Sequence, residues 1–134
     1  LHLARERDAM RTAERDFDIR AGRPDLLAGH LSGGNQQKLM LAKSMLTAPR
    51  ILIVDEPTRG IDIGTKAQIY RFVAALAAKG TAVVVISSEM AELIGLCHRV
   101  LVMRRGRIVT ELASEDLTED RIVVHATGVG ELAA

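Results

Sequence analysis

Aromatic side chains are nearly missing: Phe17, Phe72 and Tyr70 are the whole set among 134 residues, and there is no Trp. So few rings leave little material for stacking the bases of single-stranded nucleic acid, and the core must be mostly aliphatic. Cysteine occurs once, at Cys97, which excludes an internal disulfide and fits a reducing compartment. Charge of one sign is lacking too: 18 basic and 17 acidic residues give a formal +1. That balance makes no general case for a nucleic-acid surface, although it leaves room for a local patch. The longest apolar run, Phe72–Ala78, is far short of the roughly 20 residues a membrane helix takes. Leu1–Arg20 mixes charges of both signs and is not expected to act as a secretory leader. Internal repeats and low-complexity linkers are also missing. What is present is a globular balance, 48% hydrophobic and 26% charged, in a length suited to one ordinary domain.

The chain is organised around Ile51–Asp62, ILIVDEPTRGID. Ile51, Leu52, Ile53 and Val54 show no polar alternation, so a strand buried on both faces of a parallel sheet is expected. Pro57 lacks an amide donor and ends it near Asp55. Asp55 and Glu56 then stand at the carboxyl edge, where open α/β sheets place ligands. One carboxylate there can hold Mg2+, directly or through water, and the next can orient or deprotonate a water attacking a terminal phosphate. The plain alternative is that Asp-Glu-Pro opens a solvated turn.

Upstream, Leu1–Arg20 reads as a helix with a solvated face, its Arg7, Arg11 and Arg15 in repelling helical register, and Ala21–Pro24 breaks it. From Leu26 to Pro49 the chain reads LLAGHLSGGNQQKLMLAKSMLTAP. Ser32 suits an N-cap, Gly33 and Gly34 let a backbone approach a ligand, and a helix follows through Leu39, Ala42, Met45 and Leu46. Free amides at such a start, aided by the helix dipole, form an anion site. After Asp62 a second helix runs to about Lys79 on Ile69, Phe72, Val73 and Leu76. Thr81–Ser87 is expected as a second buried strand, completing a βαβ unit with a parallel pair. Ser87 or Ser88 is expected to cap a short helix holding Met90, Leu93, Ile94 and Cys97. Arg99–Met103 and Arg107–Glu111 are expected as a third and a fourth strand, a hairpin or a meander about the turn at Arg105–Gly106. Ser114 begins a short helical segment, Ile122–His125 stays unplaced, and Gly128–Ala134 reads as a tail.

LSGGNQQK at Leu31–Lys38, ILIVDEP at Ile51–Pro57, RGID at Arg59–Asp62 and ISSE at Ile86–Glu89 resemble, in order and spacing, one family. It is the second nucleotide-binding domain of the ATP-binding-cassette ATPases of bacterial ribose, xylose and galactose importers. The likeness covers about Leu26–Glu111 well and the flanks loosely. It implies an α/β fold, a partial P-loop NTPase. Residues 1–48 would lie in the helical signature subdomain, and 49–134 in the C-terminal part of the RecA-like parallel sheet and tail. It implies that Ser32, Gly33, Gly34 and Asn35 form the signature loop closing on the γ-phosphate of ATP held by the opposing domain. Asn35 stands where most cassettes have glutamine. Asp55 would be the Walker B aspartate on Mg2+, Glu56 the catalytic carboxylate and Asp62 the D-loop aspartate. Its implied partners are an N-terminal cassette of the same polypeptide, transmembrane permease subunits and, indirectly, a sugar-binding protein. The implied location is the cytoplasmic face of the bacterial inner membrane.

Two departures stand out. Ser88 occupies the place of the usual switch histidine and is too short for that role. None of His2, His30, His98 or His125 replaces it; local structural roles are the ordinary reading. Nothing reads GxxxxGK[ST], so the phosphate cradle is not in this stretch. The chain is therefore expected to be the C-terminal portion of a cassette, lacking the P-loop strand. It is expected to be inactive alone and, with an uncovered apolar edge and face of its sheet, either to self-associate or to rearrange relative to a whole cassette. Two other readings remain: a non-enzymatic docking or regulatory module, and a soluble cassette of DNA repair or translation. Near-neutral charge and the NQQK and SSE variants speak against the latter.

Overall fold

The computed structural model describes residues 3–20, 22–23 and 26–129. It divides into two compact units, Leu1–Val84 and Val85–Ala134. In the first, helix α1 (Leu3–Asp16) buries none of its residues, as a solvated face requires. Its half-buried Met10 and Ala13 pack with Phe17 against a small core of Ile19, Leu31 and Ala42. The helix expected to reach Arg20 ends at Asp16, ahead of the break expected at Ala21–Pro24, of which Ala21 and Pro24 lie outside the described residues. Helix α2 (Gly33–Met45) starts at Ser32, whose hydroxyl accepts the Asn35 amide. Strand β1 (Ile51–Asp55) ends where Pro57 requires. Helix α3 (Ile63–Ala78) is capped by Asp62, and strand β2 (Ala82–Ile86) pairs with β1. Leu41, Leu52, Val54, Ile69, Val73 and Leu76 are, with Ala42, the buried aliphatic residues of these elements. With three rings in the whole chain, one ring pair contributes: Phe17 and Phe72, with centroids 4.3 Å apart.

One expectation fails. β1 is buried on a single face: Leu52 and Val54 are covered, whereas Ile51 and Ile53 are 62% and 65% exposed. Successive strand residues point to opposite sides, and among the described residues of this unit nothing covers the second side. The same holds for β2, expected as a second buried strand: none of its residues is buried, and Val84 and Ile86 are exposed.

The second unit holds α4 (Met90–Leu96), β3 (Arg99–Arg104), β4 (Arg107–Ala113) and α5 (Glu119–Thr127). β3 and β4 form the expected antiparallel hairpin, with a bulge between Val102 and Met103. Arg105 and Gly106, at φ +50° and +76°, both adopt the left-handed conformation of the two-residue turn whose twist matches paired strands. Val100, Val102, Leu112, Leu117 and Ile122 form the core, with Met90, Leu93 and Cys97 against it. Ser114 opens a short 3-10 turn. Ile122–His125 lies in α5, which Thr118 caps and left-handed Gly128 ends. Of the expected tail, residues 130–134 lie outside the described residues. Neither serine caps α4. That helix begins after Glu89 without a side-chain cap, too far along for Ser87, whose hydroxyl accepts the Glu89 amide at 3.0 Å in the preceding turn.

Candidate functional site

The start of α2 is the most developed polar feature of the first unit. Ser32 caps it, and the amides of Gly33 and Gly34 fall in the first turn, where no intrahelical carbonyl reaches them. Donors at a helix start, with its dipole behind them, favour an anion. Asn35 folds back: its Nδ2 donates to Ser32 Oγ at 3.0 Å, and its Oδ1 accepts the Arg20 amide at 3.1 Å. Gln36 braces the approach by donating to the Leu31 carbonyl at 2.8 Å.

Asp62 stands beside this helix start. Its Oδ1 accepts the Thr65 amide at 2.9 Å and its Oδ2 the Thr65 hydroxyl at 2.8 Å. These bonds, the backbone one foremost, hold its carboxyl below the ordinary aspartate value. Thr65 in turn closes against α2: a Cβ built on Gly34 would stand 2.7 Å from Thr65 Cγ2. Only glycine fits there without displacement. Ser32, Asn35, Asp62 and Thr65 thereby line one depression of about 320 Å³, with Asp18, Arg20 and Lys38 on its wall.

The other predicted residues lie elsewhere. Asp55 is the exposed last residue of β1. Glu56 follows, half-buried, at φ +48°, a conformation uncommon for a residue with a side chain. The chain turns there, Arg59 donating to the Glu56 carbonyl at 3.2 Å, and Pro57 and Thr58 are buried behind it. Ser88 belongs to the second unit, exposed in the turn after β2. No cluster of three or more metal-binding side chains occurs among the described residues. Asp55 is nonetheless the kind of carboxylate a hard cation takes alongside phosphate oxygens and water.

The ABC transporter family matches residues 4–59. A ribose import ATP-binding protein of Roseobacter denitrificans is 49% identical over 129 residues, 96% of this chain and 25% of that protein. A xylose import ATP-binding protein of Pectobacterium atrosepticum is 51% identical over 120 residues, 90% of this chain and 23% of that protein. Among solved structures, a dimeric ATP-binding cassette bound to ADP and Pi superposes with a TM-score of 0.75 at 21% identity, covering 85% of this chain and 49% of that one. A nucleotide-free cassette reaches 0.77, also at 21% identity, over 95% and 49%. This chain is part of an ABC-transporter ATPase domain. It spans about a quarter of the length of the sugar-import proteins it matches.

Four residues of this ABC ATPase domain escaped the reading of the motifs. Lys38 closes the LSGGNQQK string, and its side chain is buried, donating to the Asp18 carbonyl at 3.0 Å. Asp18 takes φ +48° and reaches Gln68 at 3.4 Å, tying α3 to the segment after α1. Arg20 contributes its backbone amide, which no side-chain pattern reveals. Thr65 was legible in principle: an Asp followed three residues later by a donor is a capping pattern. Elsewhere in the domain, Cys97 has its thiol pushed up by burial first and then by the charge of Glu92. Glu92 itself is buried, and among the described residues neither carboxylate oxygen has a hydrogen-bond partner.

Proposed function

We propose that this chain is the C-terminal part of the second nucleotide-binding domain of a monosaccharide importer's ATPase, and that it couples ATP hydrolysis to sugar uptake. One observation carries the reading. In a chain about half identical to ribose- and xylose-import ATP-binding proteins, Ser32 caps the helix start that holds the first-turn amides of Gly33 and Gly34 and lines a depression that Asp62 shares. Donors so placed suit the terminal phosphate of a nucleotide held by another cassette. Residues 1–48 then belong to the helical signature subdomain and 49–134 to the RecA-like core and tail.

In this reading Ser32, Gly33, Gly34 and Asn35 form the signature loop that faces ATP on the N-terminal cassette of the same polypeptide. Asp62 is the D-loop aspartate at that junction. Asp55 is the Mg2+ ligand, and the ion, when bound, neutralises phosphate oxygens. Glu56 polarises the attacking water, and Ser88 stands in the γ-phosphate switch position. A hydroxyl there lacks the reach and charge of imidazole, so this half supplies a sound signature and a weakened hydrolytic face. The assembled ATPase works peripherally on the cytoplasmic face of the bacterial inner membrane with permease subunits and, through them, a sugar-binding protein.

The test is ATP hydrolysis by the full-length protein assembled with its permease, compared with the 134-residue chain alone. Hydrolysis in the assembly should fall by about a hundredfold or more when its signature serine is lost together with Glu56→Gln. The isolated chain should give no turnover above its own Glu56→Gln variant. A docking or regulatory module would instead bind its partner while the assembly shows no hydrolysis that depends on these residues.

A further inference from the structure

The carboxamide of Asn35 is used at both ends inside the chain. A backbone amide only donates, so the 3.1 Å contact from Arg20 identifies the carboxamide oxygen and leaves the NH2 group facing Ser32. Ser32 Oγ receives that NH2 at 3.0 Å and the Asn35 backbone amide at 3.4 Å. A hydroxyl accepts two hydrogen bonds and donates one. With both acceptor positions filled, the Ser32 proton is the capacity left over, and the exposed side chain opens on the depression shared with Asp62.

We propose that Asn35 is a positioning residue that makes Ser32 an outward hydrogen-bond donor to a terminal phosphoryl oxygen. The inference rests on the signature-loop reading above and changes the part Asn35 plays in it: Asn35 acts through Ser32. Its support is built in. Lys38 Nζ, buried in this unit, donates to the Asp18 carbonyl at 3.0 Å, and Ile19 is buried in the small core beside it. The Arg20 amide is thus delivered by an anchored segment. The short arm of asparagine reaches Arg20 and Ser32 together. A glutamine would carry its carboxamide one methylene further and could not keep the same pair of bonds.

The experiment uses the full-length ATPase in its complete transporter, with kcat and KM for ATP measured separately. Ser32→Ala and Asn35→Ala are each expected to lower kcat/KM about tenfold, the worth of one hydrogen bond to a charged group. The double variant should stay within about twofold of Ser32→Ala alone, because the two act as one unit. ADP, which lacks the terminal phosphate, should bind every variant within about twofold of the parent, and a melting temperature within about 3 °C of the parent's shows that the loop has not collapsed. Asn35→Asp provides a second arm if Asn35→Ala does not fold. It keeps size and the Arg20 bond, but its second oxygen only accepts and draws the Ser32 proton inward. Its loss should shrink when Ser32→Ala is present. Multiplying losses, about a hundredfold in the double variant, or equal Asn35→Asp losses in both backgrounds, overturn the inference while leaving the signature reading in place. A parent transporter without ATP hydrolysis overturns both.

Discussion

Gly34 is the residue on which the site's closeness depends. Its missing side chain lets Thr65 pack against α2, with only 2.7 Å available to a Cβ. Gly34→Ala is expected to destabilise the chain by about 1–3 kcal/mol through overpacking, measured by urea unfolding. Thr65→Ser deletes the crowding methyl while keeping the hydroxyl that Asp62 accepts. The cost of Gly34→Ala should therefore fall in the Thr65→Ser background. An unchanged cost would mean that the strain lies in the α2 backbone. A doublet of glycines was visible in the sequence, but which of the two is crowded, and by what, was not. Thr65 lies in another helix, and no local pattern announces a neighbour across such a gap.

At the scale of elements, α3 depends on its first residue. The Asp62 carboxylate accepts two bonds from Thr65, and its pKa in the folded chain lies below the ordinary value of 3.8. A depressed carboxyl contributes stability above the unfolded-state pKa and loses it as pH falls through the folded one. Thermal melting between about pH 5 and pH 2 should show this cap as part of the acid destabilisation. Asp62→Asn keeps a capping oxygen but has no proton to gain, so its melting temperature should fall less steeply over that window. Parallel curves for the two proteins would assign the acid loss to other carboxylates. The helix after Asp62 and the turn at Arg105–Gly106 were readable because they rest on contacts within a few residues, although the Asp62 cap itself was not read from the sequence. The missing cap on α4 is the counterexample: two serines stood near, and the helix began beyond both.

For the whole molecule, the uncovered side of β1 is the dominant feature. Ile51 and Ile53 expose most of their surface, and Val84 adds to it. Burying one such side chain is worth about 1.5–3 kcal/mol, so a second copy is the readiest cover for the 134-residue chain. Sedimentation velocity should show association that grows with concentration, and Ile53→Lys should weaken it by about tenfold or more. A parent chain that stays monomeric across the range would show that this face tolerates water.

Composition, period and motif spacing by themselves determined the order of elements, the aliphatic core, the end of β1 at Asp55 and the resemblance to sugar-importer cassettes. Each is written in neighbouring residues or in a string specific enough to name a family. Only the tertiary structure decided that β1 is covered on one face, because a run of four apolar residues records what a strand can bury and not what lies opposite. It also decided that Ser32, Asn35, Asp62 and Thr65 line one depression and that Lys38 is buried. Those facts depend on α2, α3 and the segment after α1 meeting in space, which residues far apart in the chain establish only when it folds.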